Sequence, residues 1–255
     1  MFKSKTKILQ LTVTLTACAF LFVPIILSVM AGVTANYFQG ISSGFTLKWV
    51  YRVWELYADS IFLSLWLAIA CLISTLIIGL PAAYGLARHP GWLSRILEEF
   101  ISLPLAVPGL ALALALLQLY GSMKGFRVSW TFILVGHVLY TLPFMVRSIL
   151  AVLASMDLKT LEEGAASLGA SPWQRFRDIV VPNAMPGILA GALTVVTLSI
   201  GEFNLTWMLH TPYLKTLPVG LADSYASMRL EVASAYTLVF FVLIVPLLMA
   251  MQWAS

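Results

Sequence analysis

"LEEGAASLGASPWQRFRDIVVP", residues 161–182, decides how this chain is read. It lies between two long apolar segments, yet it carries Glu162, Glu163, Arg175, Arg177 and Asp178, with Gly164, Gly169, Pro172 and Pro182 as punctuation. Leu158, Leu161, Ala165 and Leu168 recur at i, i+3, i+7 and i+10, the apolar stripe of a helix. Glu162 and Ala166 fall beside that stripe, and Glu163 projects elsewhere. Gly169 stands where a helix C′ residue belongs, because glycine enters the left-handed region without steric cost. Ser171-Pro172 then reads as an N-cap and a first-turn proline. They open a second helix over Trp173–Val181, and Pro182 and Pro186 mark the return into apolar sequence. The expectation is two short helices joined by a sharp turn, longer than a plain connection needs. Such a lever can lie on lipid, dock into a partner, or be an inert surface hairpin. The acidic pair Glu162/Glu163 is repelled by an anionic leaflet, which favours docking.

Outward from that stretch the chain is greasy. Of its 255 residues 60% are hydrophobic and 10% charged, against about 45–50% and about 25% in soluble domains. Lipid is therefore the solvent for most of the surface. The formal net charge of +4 comes without a Lys/Arg block of the kind that binds nucleic acid. Cys18 and Cys71 both fall inside apolar runs and leave the redox compartment open.

Six segments are long enough to cross a bilayer as helices: 8–32, 59–87, 100–120, 130–153, 183–208 and 233–253. The first competes with a signal peptide, since Lys3, Lys5 and Lys7 precede it and Val33-Thr34-Ala35 resembles a cleavage site. Its apolar run is longer than a signal h-region, so it reads as a retained span. With the N-terminus inside, the inner segments hold Lys3, Lys5, Lys7, Arg88, Arg95, Arg147, Lys159, Arg175 and Arg177. The outer ones hold Lys48, Arg52, Lys124, Arg127, Lys215 and Arg229. That asymmetry places both termini and the 161–182 stretch in the cytoplasm. Residues 45–57, "FTLKWVYRVWELY", interleave Trp49, Tyr51, Trp54 and Tyr57 with charges and read as an outer interfacial helix. The fold class is an all-α integral membrane protein of six transmembrane helices. Residues 1–57 form the first span and outer segment, and 58–253 a five-span core with the loop at 157–182.

The loop resembles the "EAA" loop of importer-type ABC-transporter permeases, of the type I fold. Glu163, Ala165, Gly169, Ile179 and Pro182 match that pattern in register. Gly164 departs where Ala is usual, and Val181 where Leu is usual. "GLPAAYGLARH" (79–89), "LPLAVPGLALALALL" (103–117) and "SIGEFNLTW" (199–207) are similar to further family blocks, so the resemblance covers residues 45–250. It implies a bacterial inner-membrane permease subunit without catalytic or metal residues and without a cofactor of its own. ATP and Mg would be bound by a cytoplasmic ABC ATPase dimer. It also implies a second permease subunit, identical or homologous, and a periplasmic substrate-binding protein. The coupling residues would be Leu161, Glu162, Glu163, Gly164, Ala165, Leu168, Gly169 and Pro182. Glu163 would pair with a basic residue of the ATPase, Gly169 would allow the turn, and the Leu158/Leu161/Ala165/Leu168 face would fill the ATPase cleft. Residues 201–231 are most similar to 2-aminoethylphosphonate permeases.

Glu202 is the one acidic residue deep in an apolar span, and such a carboxylate faces a cavity or a partner. With Ser199 and Asn204 it is the candidate substrate pathway; the alternative is a structural hydrogen bond across helices. Pro104, Pro108, Pro143 and Pro246 are candidate kinks. His137 reads as a satisfied interior histidine, and no HExxH or Cys/His spacing argues a metal site. The competing function is an ion-gradient-driven transporter or channel using Glu202. A membrane enzyme finds no G-x-S-x-G, and without a P-loop this chain is not itself the ATPase.

Overall fold

The computed structural model describes residues 2–254; the side chains of 2–6, 251 and 254 lie outside it. Lys3 and Lys5, on which the orientation argument draws, are among them, and Ser255 is outside the described residues altogether. The helices are α1 (Phe2–Ala31), α2 (Lys48–Arg88), α3 (Trp92–Ala106), α4 (Gly109–Tyr120), α5 (Lys124–Arg127) and α6 (Trp130–Ala154). They continue as α7 (Leu158–Ser167), α8 (Pro172–Arg175), α9 (Val181–Gly201), α10 (Asn204–Leu209), α11 (Leu217–Ala226) and α12 (Leu230–Ala254). Among the described residues the only β pairings are the isolated bridges Thr34–Phe45 and Thr211–Leu214. Five helices are long and apolar enough to cross a membrane, and the α3–α4 pair makes a sixth span if counted as one. This is the all-α membrane architecture expected, in which each span satisfies its own backbone groups within a single segment.

Three expected spans take a different form. The outer interfacial helix is not separate, because Lys48 to Arg88 is one helix of 41 residues. Segment 100–120 is not straight: α3 and α4 meet at a bend of 102°. Val107 there is extended and Pro108 is the N-cap of α4. The pyrrolidine ring bars the preceding residue from the helical region, so the break falls where the sequence dictates. Pro104, Pro143 and Pro246 lie inside helices that run on past them. Segment 183–208 also ends early. α9 stops at Gly201, Glu202 is extended, and a new short helix begins at Asn204.

The chain groups into two units. One comprises residues 1–58 with 221–242, the other 59–220 with 243–255. Residues 221–242, within the 58–253 stretch, group with the N-terminal segment. In the first unit the loop after α1 is tied down by Trp49, whose indole donates to the Thr34 carbonyl at 3.0 Å. The Tyr37 amide donates to Glu231 at 3.2 Å, and Tyr57 meets Tyr236 edge to face at 5.0 Å.

The second unit is built on α6 and α9. An added Cβ on Gly187 would come within 2.6 Å of the Ser148 carbonyl oxygen, and one on Gly191 within 2.9 Å of Met145 Sδ. Close backbone approach over small residues is how helices associate when lipid is as apolar as leucine. Met145, Val146, Ile149 and Leu153 of α6, Ala184, Ile188 and Val195 of α9 and Cys71, Ala83 and Leu86 of α2 share one buried cluster. Leu158, the first residue of α7, belongs to it too. A second cluster gathers Leu67, Ala113, Leu116, Phe132, Ile133, Leu205 and Leu209 from α2, α4, α6 and α10.

Candidate functional site: the 157–182 hairpin and the α9–α10 break

The hairpin folds as its residues dictate. Asp157 caps α7, accepting from the Thr160 amide at 3.2 Å and from its hydroxyl at 2.7 Å. Those bonds, the side-chain one first, hold its carboxyl below the ordinary range. After α7 Gly169 takes φ +85°, the left-handed C′ position expected of it. The Ala170 amide then bonds back to the Ala165 carbonyl at 3.0 Å. Ser171 caps α8 with a reciprocal capping box, Gln174 N–H to Ser171 Oγ at 3.3 Å and Ser171 N–H to Gln174 Oε1 at 2.7 Å.

The second arm differs from expectation. The helix begun at Pro172 does not stop at Val181. It passes through a π turn, Phe176–Val180, straight into α9. Pro182 has no N–H to return to the preceding turn, and a wider turn just before it accommodates the lost bond. The Asn183 side-chain amide donates to the Ile179 carbonyl at 2.8 Å. The hairpin arm is therefore a rigid extension of a membrane-length helix.

The eight expected coupling residues divide by exposure. Leu168 is 90% exposed and Leu161 44% exposed, large apolar side chains left bare beside a polar surface. Glu163, Gly164, Gly169 and Pro182 are exposed and Ala165 is half-buried. Glu163 reaches Lys159 at 3.8 Å with both side chains in solvent, an ion pair worth little. Two residues depart from the sequence picture. Leu158, expected on the docking face, is buried in the chain's own core. Glu162, expected at an acidic tip, is buried and turned inward. Its carboxylate accepts from the Tyr84 hydroxyl at 2.5 Å and lies 3.4 Å from Arg88 Nε. The tip thus presents one outward carboxylate, Glu163. An apolar stripe predicts which residues share a face, not which end of the face the rest of the chain covers. Tyr84 and Arg88 were not singled out, though their i, i+4 spacing in α2 places them side by side.

The other expected site lies at the α9–α10 break. Both oxygens of Glu202 are engaged: Oε1 accepts from the Leu205 amide at 2.8 Å, Oε2 from the Thr206 amide at 2.8 Å and from its hydroxyl at 2.6 Å. The carboxylate caps the start of α10, where four backbone N–H groups lack helical partners. Ser199 is buried against His137, while Asn204 is exposed. His137 is buried, with Nδ1 2.8 Å from Ser199 Oγ and Nε2 2.8 Å from Thr206 Oγ1. Because the Thr206 proton goes to Glu202, Nε2–H donates to Thr206 and Nδ1 of the neutral ring accepts from Ser199. Ser199, His137, Thr206 and Glu202 form one satisfied chain across α6, α9 and α10. That is the interior histidine the sequence suggested.

Known proteins resemble this chain in sequence and in fold. Residues 75–254 match the family model described as "Binding-protein-dependent transport system inner membrane component". A Salmonella typhimurium protein provisionally named 2-aminoethylphosphonate transport system permease protein PhnV is 26% identical over 236 residues, 91% of this chain and 88% of its own. The molybdenum transport system permease ModB of Haemophilus influenzae is 32% identical over 162 residues, 58% of this chain and 69% of its own. Among solved structures, a bacterial ABC transporter that imports alginate superposes with a TM-score of 0.74 at 17% identity, over 96% of this chain and 94% of its own. The MetNI methionine ABC transporter does so with a TM-score of 0.63 at 18% identity, over 80% and 94%.

Proposed function

The chain belongs to the family of inner membrane components of binding-protein-dependent transport systems, and from that premise we propose that its 157–182 hairpin receives the stroke of a separate ABC ATPase. The observation that carries this reading is the pairing of Leu168, almost fully exposed, and Leu161, partly exposed, with Gly169 in the left-handed region between two capped helices. An exposed apolar knuckle on a rigid arm suits a cleft on another polypeptide. Leu161, Ala165 and Leu168 enter that cleft, and Glu163 meets a basic residue at its rim. The arm continues as α9, so displacement at the tip moves a span directly.

ATP and Mg belong to that ATPase, and this chain supplies no catalytic group. A six-span subunit encloses no pathway by itself, so a second permease completes it and a binding protein delivers solute from outside. The N-terminus and the hairpin lie on the cytoplasmic side of a bacterial inner membrane. The solute is 2-aminoethylphosphonate. The support for that substrate is the relative PhnV, whose similarity spans nearly the whole of both chains, whereas ModB matches over a shorter stretch. The alternative of an ion carrier at Glu202 loses its support, because three donors already occupy that carboxylate.

Co-purification with an ATPase subunit, and loss of both co-purification and uptake in Glu163→Lys and Gly169→Asp, is the expected result. Normal uptake in either variant, once inserted at the wild-type level, overturns the coupling assignment. The substrate is tested separately, by growth on 2-aminoethylphosphonate as sole phosphorus source with and without the gene.

A further inference from the structure

The hairpin is continuous in sequence with α6 on one side and α9 on the other, so those spans follow its motion through the backbone. α2 has no such link, yet side chains from both arms of the hairpin converge on its last turns. From α7, Glu162 accepts the Tyr84 hydroxyl proton at 2.5 Å and approaches Arg88 Nε at 3.4 Å. From the π turn, Phe176 meets the Tyr84 ring edge to face at 5.4 Å, and Trp173 stacks on Phe176 at 5.8 Å. Arg88 closes the group, donating to the Tyr84 hydroxyl at 2.9 Å with its guanidinium 5.8 Å from the ring centroid. Tyr84 is therefore held by a carboxylate from one arm and an aromatic ring from the other. Leu158 and Val180, one from each arm, are buried in the same cluster as Ala83 and Leu86.

We infer that Tyr84, fastened by Glu162 and Arg88, is the joint through which the hairpin drives the second span, α2. The inference rests on the hairpin being the ATPase-docking element, and it gives Glu162 a role opposite to its neighbour's. Glu163 faces the motor, and Glu162 holds the lever to the bundle. Glu162 is a positioning residue: its carboxylate is buried against Tyr84 and Arg88. The geometry favours a two-part joint. The apolar contacts limit how far the arms can separate from α2, while the directional bonds to Tyr84 and Arg88 fix the register of α7 along it.

The test uses the full chain in lipid nanodiscs, in wild-type form and as Tyr84→Phe, Glu162→Ala, Glu163→Lys and the swapped pair Glu162→Arg/Arg88→Glu. Hydrogen exchange of the amides of α7 reports fastening without any partner. Glu162→Ala should speed that exchange by about tenfold or more, because the buried carboxylate that fastens α7 to Tyr84 and Arg88 is gone. Tyr84→Phe should fall between it and wild type, the swapped pair should recover part of the protection, and Glu163→Lys should leave it unchanged. In complex with the ATPase that co-purifies with the wild-type chain, Glu162→Ala should keep that subunit but lose uptake per ATP hydrolysed by about fivefold. The solute in that assay is 2-aminoethylphosphonate, molybdate or spermidine, whichever the wild type carries. A merely destabilised protein would lose uptake and hydrolysis together, leaving their ratio in place. Unchanged α7 exchange in Glu162→Ala overturns the joint. So does loss of the ATPase from Glu162→Ala to the extent seen in Glu163→Lys, or a wild-type ratio of uptake to hydrolysis. If no ATPase accompanies the wild type, the docking function falls, and the exchange measurement still decides whether the joint exists.

Discussion

His137 Nε2 lies 2.8 Å from Thr206 Oγ1, so a side chain of α6 is bonded to the residues that restart the helix after the α9–α10 break. Thr206 in turn donates to Glu202 at 2.6 Å, and the break is held from two sides. Thr206→Val removes both bonds and strands His137 Nε2, and His137→Phe removes one of them together with the histidine partner of the Ser199 hydroxyl. An interhelical hydrogen bond in a membrane protein is worth about 0.6 kcal/mol on average, while a stranded buried polar group costs about 1–3 kcal/mol. The stranded groups dominate, so each variant should lose about 1–2 kcal/mol in detergent-titrated unfolding. An unfolding midpoint unchanged in both variants would show that the break does not depend on this chain of bonds.

The α6–α9 seam makes a steric prediction. Gly187→Val pushes a branched side chain into the Ser148 carbonyl oxygen, 2.6 Å from the first added atom. Backbone cannot give way as a flexible side chain can, and overpacking of this kind costs about 1–3 kcal/mol. Gly85, inside α2, offers the contrast, with nothing within 4 Å of an added Cβ. Gly85→Ala should be neutral or should stabilise by up to about 1 kcal/mol through helix propensity. The two substitutions should therefore move the unfolding midpoint in opposite directions.

Within the hairpin Gly169 and Gly164 are unlike. Gly169 has φ +85°, where any side chain meets its own backbone at a cost of about 1–2 kcal/mol. Gly169→Ala should fray the end of α7 and lower uptake several-fold while leaving the spans intact. Gly164 is in the helix interior with open space around an added Cβ. Gly164→Ala, which brings the loop to the usual family residue, should stiffen α7 by up to about 1 kcal/mol. Circular dichroism of the variants, with uptake measured alongside, distinguishes the two glycines; equal effects would contradict the assignment of the turn to Gly169.

Much of this was legible from local pattern. Gly169, Ser171 and Pro172 announced the turn, because each has a conformational reason to stand where it does. The apolar runs announced the spans, because lipid demands length. Pattern fails where a long-range partner decides. Glu162 and Glu163 are adjacent carboxylates with the same propensities, and only the presence of Tyr84, far away in the chain, turns one inward. Glu202 reads as a pathway residue because it is a carboxylate in a long apolar run. Once the helix breaks, the same carboxylate becomes a cap. The joining of residues 45–57 to the second span was missed for the opposite reason. The aromatic and charged residues there mark an interface, and an interface does not interrupt a helix whose backbone bonds are all internal.

Asp157 supplies the remaining test, a dependence on pH. Its carboxylate caps α7 through the side chain and amide of Thr160, and these bonds hold its pKa below the ordinary 3.8. A depressed folded pKa means that the ionised form stabilises the fold. That contribution is fully present above the unfolded value and disappears as pH falls through the folded one. The start of α7 should therefore stay protected down to about pH 4 and loosen below it. Asp157→Asn retains a capping oxygen but cannot titrate, so it should hold α7 with the same protection at every pH. Asp157→Ala should be loose throughout. Hydrogen exchange at Thr160 and Leu161 against pH, corrected for intrinsic exchange rates, reads all three. A wild-type profile that parallels Asp157→Asn down to pH values below the ordinary carboxylate range would show that the cap, and not its charge, holds the hairpin's first turn.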